Sequence, residues 1–262
     1  MTDRPVAPPH PIAALRRYTE ARIGLGRAGA GLPTAAHLDF AEAHAKARDA
    51  VHAPFDADAV ERAMRDAGRE TLRISSEAPD RATYLRRPDL GRRLADESRA
   101  ALLEAAKDGP FDLAVILADG LSATAAHAYA TTVALGTLAL VPMAWRVAPV
   151  LVASQARVAL SDPAAEALGA KLVLMLVGER PGLSAADSLG AYLTFDPKPG
   201  RTTDADRNCV SNIRAGGLPP SLAAPKLARL LVRARSLGLT GTRLKDEDSI
   251  EGAMPPALGP PE

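Results

Sequence analysis

Two unbroken apolar runs dominate the hydrophobic pattern. Leu172 to Val177 is six apolar residues long and stops at Gly178; Leu113 to Ala118 is of the same kind and stops at Asp119-Gly120. Runs of that length, without polar alternation, predict strands buried on both faces. Pro149 to Ala153 predicts a third strand and Glu70 to Ser75 a first one. Leu189 to Phe195 alternates and predicts an edge strand. Between the runs the apolar spacing turns helical. Asp89 to Lys107 predicts one long amphipathic helix, with Leu90, Leu94, Ala101, Leu102 and Ala105 towards the core. Leu121 to Met143 predicts a buried helix and its exit loop, capped near Ser122. Asp162 to Gly169 and Pro219 to Leu237 predict two more helices, closed by Gly169 and Gly238.

Strands alternating with helices predict an α/β domain over residues 69–245, with a mostly parallel, Rossmann-like sheet flanked by helices. The region before it, residues 1–68, predicts an arm and a small helical appendage. Thr2 to Pro11 holds four prolines, Ile12 to Tyr18 has a short helical pattern, and Thr34 to His52 and Asp56 to Gly68 predict helices, the former capped near Thr34. Pro79 to Pro88 carries clustered arginines and predicts a turn-rich segment or a docking surface. Residues 246–262 predict a disordered tail.

Parallel strands place their carboxyl ends on one rim, where ligands of open α/β sheets bind. Asp119, the Gln155–Val158 segment and Glu179 all follow strands and predict such a rim. Pro181 biases Arg180 away from helical geometry, so the chain turns directly after Glu179. Asp119 and Glu179 form a carboxylate pair for acid–base work, or they accept hydrogen bonds from a large amide-bearing ligand. The residues alone leave both readings open. The first makes the chain a stand-alone hydrolase or transferase.

Composition narrows the choice. The chain has 262 residues, 3% aromatic residues and a formal net charge of +1. That argues against base-stacking platforms and against long-range attraction to nucleic acid. Hydrophobic residues at 47% and charged residues at 24% fit a globular chain without a membrane span or signal peptide, in a cytoplasmic setting. Cys209 is the single cysteine, so no internal disulfide and no cysteine zinc cluster can form. His37, His44 and His52 share one helix side only approximately, with no acidic cluster to complete a metal site. Gly24, Gly26 and Gly29 spell GxGxxG, but no apolar strand precedes them, as a dinucleotide site would need. A Walker loop, a GxSxG elbow and an HExxH motif are all missing.

Several segments carry a resemblance that spans about Leu15 to Lys245: ARIGLGRAG, AHAKARDAVHAP, YLRRPDLGRRL, ADGLSATA, LGAKLVLMLVGERPGLSAADSLGAYL and DRNCVSNI. The chain resembles the small (light) subunit of ethanolamine ammonia-lyase, an adenosylcobalamin-dependent bacterial enzyme. GERPGLS and RNCVSNI carry the likeness most sharply. The resemblance implies a hetero-oligomer with a large TIM-barrel subunit that holds the substrate site, and conversion of ethanolamine to acetaldehyde and ammonia. It implies cobalamin between the two subunits, contacted on this chain by Val158, Glu179 and Cys209. It also implies a cytoplasmic enzyme, free or inside a bacterial microcompartment. No DxHxxG motif is present, so the cofactor's own base is expected to remain the lower cobalt ligand.

Overall fold

A computed structural model describes residues 11–246. The arm expected over residues 2–10 and the tail expected beyond Asp246 lie outside the described residues.

The core is a six-stranded sheet in the order β1-β3-β2-β4-β5-β6. Its strands are β1 (Thr71–Ser75), β2 (Phe111–Ala118), β3 (Val150–Ser154), β4 (Ala170–Gly178), β5 (Leu189–Phe195) and β6 (Arg207–Ile213). β1, β3, β2 and β4 pair in parallel. β5 runs antiparallel to β4, and β6 antiparallel to β5. The sheet is therefore mixed: the parallel majority is as expected, with three of its five pairings, and the antiparallel β4-β5-β6 end is the first correction. The reason lies in the connections: residues 179–188 join β4 to β5 without a helix, too short a path for a parallel crossover. A second correction follows. β5 is interior, because the polar RNCVSNI segment forms β6 and takes the edge.

The two apolar runs are continuous because both faces of β2 and β4 are covered. Leu113, Val115, Leu117, Leu172, Leu174 and Leu176 face one layer. That layer is built by α2 (Ala57–Asp66), α8 (Pro220–Leu237) and a helical stretch after β2. The stretch runs through α5 (Ala123–Ala125), a π-turn (Ala126–Ala130) and α6 (Thr131–Leu138). Ala114, Ile116, Ala118, Val173, Met175 and Val177 face the other layer, with α4 (Asp96–Ala105) and α7 (Ser161–Leu168). Full burial of a Leu or Met side chain contributes about 1.5–3 kcal/mol, so this double layer is the main source of stability. Ser122 caps α5 by accepting from the Ala125 amide at 3.2 Å. Gly169 and Gly238 end α7 and α8 in left-handed geometry, as the sequence predicts.

Before the sheet, α1 (Thr34–His52) buries only Ala43 and Ala50, whereas α2 places Val60 and Met64 in the main core. Pro33, not Thr34, occupies the cap position of α1, without a side-chain cap bond. Gly24, Gly26 and Gly29 all have positive φ and sit in a loop. The predicted helix Asp89 to Lys107 is broken: a 3-10 turn, Leu90–Arg92, precedes α4. The break falls at Arg93–Ala95, where the backbone is extended and Leu94 bridges to Ser76; Gly91, inside the 3-10 turn, has no room for a Cβ, which would lie 2.8 Å from both the Tyr84 ring and Arg157 Cγ. Tyr84 belongs to α3 (Arg81–Arg86), a helix within the segment expected to be only turns, and is fully buried. Among the described residues no helix is long and apolar enough to cross a membrane.

Candidate functional site

A cavity of about 510 Å³ opens at the carboxyl ends of β2, β3 and β4. Its walls come from Gly120 and Leu121 after β2, Ala156 to Val158 after β3, and Val177 to Arg180 at the end of β4. Ser188, Tyr192 and Asn212 close the side towards β5 and β6. The rim read from the strand order thus exists.

Glycines let the strand ends meet. A Cβ on Gly178 would lie 2.0 Å from the Ser122 carbonyl oxygen and 2.5 Å from that of Asp119. Gly120, at φ +55°, is packed as closely against Gly178. The Leu121 amide donates to the Gly178 carbonyl at 2.8 Å. The loop after β4 is held by Tyr129, whose hydroxyl donates to Asp187 at 2.7 Å, and by Ser122, which donates to the Ala186 carbonyl at 2.9 Å.

Glu179 leans back over β5. Its Oε2 accepts from the Ser188 hydroxyl and, at 3.1 Å, from the Asn212 amide. Asn212 adopts φ +57°, a left-handed conformation that asparagine tolerates. Gly190 makes the room, since a Cβ there would sit 3.0 Å from Glu179 Oε1. That Oε1 accepts no hydrogen bond among the described residues. Val158 opens a short 3-10 turn (Val158–Leu160), lines the cavity, and packs against the α4–α7 layer. Cys209 lies on β6 directly across from Tyr192. It is exposed and does not line the cavity itself; its neighbour Tyr192 does. Although the residue is exposed overall, partial burial of its sulfur pushes the thiol above its ordinary range; a hydrogen bond with Tyr192 opposes this and the Glu179 charge adds to it. Tyr192 is likewise pushed up, first by burial and then by Cys209. Val158, Glu179 and Cys209 therefore lie on and beside one concavity.

Asp119 is placed otherwise. It is 1% exposed and its oxygens are committed. They accept from the amides of Gly120 (2.9 Å), Gln155 (3.0 Å) and Ala156 (3.1 Å), and from Arg81 at 3.3 Å. Burial raises its pKa, against the pull of those amides and of Arg81. Asp119 ties the end of β2 to the end of β3 and faces protein rather than the cavity. The acid–base pair with Glu179 has no geometric support.

The profile of the ethanolamine ammonia-lyase light chain matches residues 9–245. The chain belongs to the ethanolamine ammonia-lyase light-chain family. It is 50% identical, over 258 residues, to the ethanolamine ammonia-lyase small subunit of Pseudomonas syringae pv. tomato, covering 94% of this chain and 89% of that one. It is 49% identical to the small subunit of Azotobacter vinelandii over 253 residues, covering 95% and 93%. The small subunit of Pseudomonas fluorescens is also 49% identical, over 256 residues, at 96% and 92% coverage.

Membership in the light-chain family spans the whole of the sheet and every wall of the cavity. Several wall residues lie in segments that carry the resemblance but have no role in the local pattern. Tyr84 touches the site through its ring, held between Arg81 and Arg157 at 5.0 and 4.5 Å from the centroid. Its hydroxyl donates to the Ala156 carbonyl at 3.0 Å. Ser188 and Tyr192 belong to a stretch read only as a loop and a strand.

Proposed function

We propose that this chain is the small subunit of an adenosylcobalamin-dependent ethanolamine ammonia-lyase. In this reading the concavity at the strand ends forms half of a cobalamin cradle. A larger TIM-barrel subunit supplies the other half and the ethanolamine site. The whole enzyme releases acetaldehyde and ammonia, in the cytoplasm or within a microcompartment. The observation that carries the reading is Glu179. A carboxylate fixed by Ser188 and Asn212 on one oxygen, with the other oxygen unpartnered, fits a ligand rich in amide N–H groups.

The donor set suits a corrin and needs no protein ligand to cobalt. Glu179 would accept from a corrin amide. Val158 would pack against the corrin edge. Cys209, a neutral thiol beside Tyr192, would offer packing and a weak S–H donor. When bound, adenosylcobalamin supplies the radical chemistry. This chain's part is to hold and orient the cofactor and to keep water from the face it covers. The α4–α7 layer does not extend over Cys209, so that shoulder of the sheet is open to a partner.

The test is reconstitution. This chain is mixed with its large subunit, adenosylcobalamin and ethanolamine, and acetaldehyde is measured. Activity that requires both chains is the expected result. Undiminished activity from the large subunit alone overturns the reading.

A further inference from the structure

Arg157 is a cation without a counter-ion. Two other arginines with well-covered side chains have theirs: Arg81 pairs with Asp119, and Arg207 with Asp162. Among the described residues no carboxylate pairs with Arg157. Its Nε is buried without a hydrogen-bond partner, and its one side-chain hydrogen bond runs from Nη2 to the Tyr84 carbonyl at 3.4 Å. The residue as a whole is half-buried at the cavity wall, so its charge is open to an anion from outside the chain.

The side chain is also held ready. Its guanidinium lies over the Tyr84 ring at 4.5 Å. Its stem passes over Gly91, where any Cβ would collide with it. The Arg157 amide donates to the Gly91 carbonyl at 2.8 Å. The 3-10 turn before α4 thus packs directly against this arginine through Gly91. Arg157 lines the cavity between Ala156 and Val158. A fixed planar fork with unspent donors suits an oxyanion.

If the cavity takes cobalamin, as proposed above, the chemistry leaves one complement. The corrin side chains are neutral amides. The single anionic group of the ligand's periphery is the phosphodiester of the nucleotide tail. We propose that Arg157 anchors that phosphodiester and so distinguishes the complete cofactor from tail-less corrinoids. Glu179 reads the amides; Arg157 reads the phosphate.

The experiment uses the assembled two-subunit enzyme and visible-absorbance titration with three ligands: adenosylcobalamin, adenosylcobinamide and adenosylcobinamide phosphate. The wild type is expected to bind the phosphate-bearing cobinamide more tightly than cobinamide itself. In Arg157→Met that preference vanishes, with phosphate-bearing ligands weakened about 10- to 100-fold and cobinamide changed less than about threefold. Arg157→Lys, which keeps the charge but not the fork, recovers part of the preference. If Arg157→Met does not assemble, the Lys variant alone decides by the same comparison. Equal losses for cobinamide and its phosphate overturn the proposal and assign Arg157 to packing or to a carboxylate of the partner. No binding of adenosylcobalamin by the wild type overturns the earlier reading instead.

Discussion

Asp162 in α7 and Arg207 at the start of β6 meet as a buried two-pronged ion pair, with both N–H···O distances at 2.7 Å. Thr194 on β5 accepts a third bond from Arg207 at 3.1 Å. The pair fastens the edge strand to a helix that otherwise covers β2 and β4. Cys209 and Asn212 ride on that strand.

Removing one partner leaves a buried charge unpaired. Arg207→Met should lower unfolding free energy by about 3–5 kcal/mol, measured by urea denaturation. Asp162→Leu combined with Arg207→Met should recover most of the loss, because no lone charge remains. A double variant no more stable than the single one would show that the pair's geometry, rather than its charge balance, holds β6.

Glu179 has one oxygen committed to the protein and one unpartnered. Glu179→Ala should weaken cobalamin binding to the assembled enzyme by about 10- to 100-fold, the effect of a lost charge-assisted hydrogen bond. Glu179→Gln should lose less, since an amide oxygen still accepts. Equilibrium titration of the cofactor checks both.

Gly178 has no room for a side chain, with backbone oxygens 2.0 and 2.5 Å from where a Cβ would stand. Backbone cannot yield as a flexible side chain can. Gly178→Ala should cost about 1–3 kcal/mol and lower the melting temperature. It should also weaken cobalamin binding, because the β2 and β4 exits are forced apart.

Cys209 should be a slow nucleophile at neutral pH. Burial holds its thiol protonated above the ordinary range, against the Tyr192 hydrogen bond and with the help of Glu179. Its folded pKa lies above the unfolded one. The linked stability is therefore whole below a free thiol's pKa of about 8.5 and is lost as pH rises through the folded value. Iodoacetamide labelling, followed by mass, should stay slow at about pH 8 and accelerate only at higher pH. Fast labelling at neutral pH would contradict this.

Local pattern was enough to determine the buried strands β2 and β4, the left-handed caps at Gly169 and Gly238, the Ser122 cap, and a shared rim holding Gln155–Val158 and Glu179. Each is written in a few consecutive residues: an apolar run records cover on both faces, and a glycine records a turn. Tertiary structure alone decided that Arg207–Ile213 becomes the edge strand, that β5 is interior, and that the helix expected from Asp89 breaks at Arg93–Ala95, which pairs back on Ser76. It also decided that Asp119 is consumed inside the protein while Arg157 is left without an anion. Those outcomes depend on partners tens of residues away. Periodicity tells which face of an element is buried, but not which carboxylate, ring or strand will lie against it.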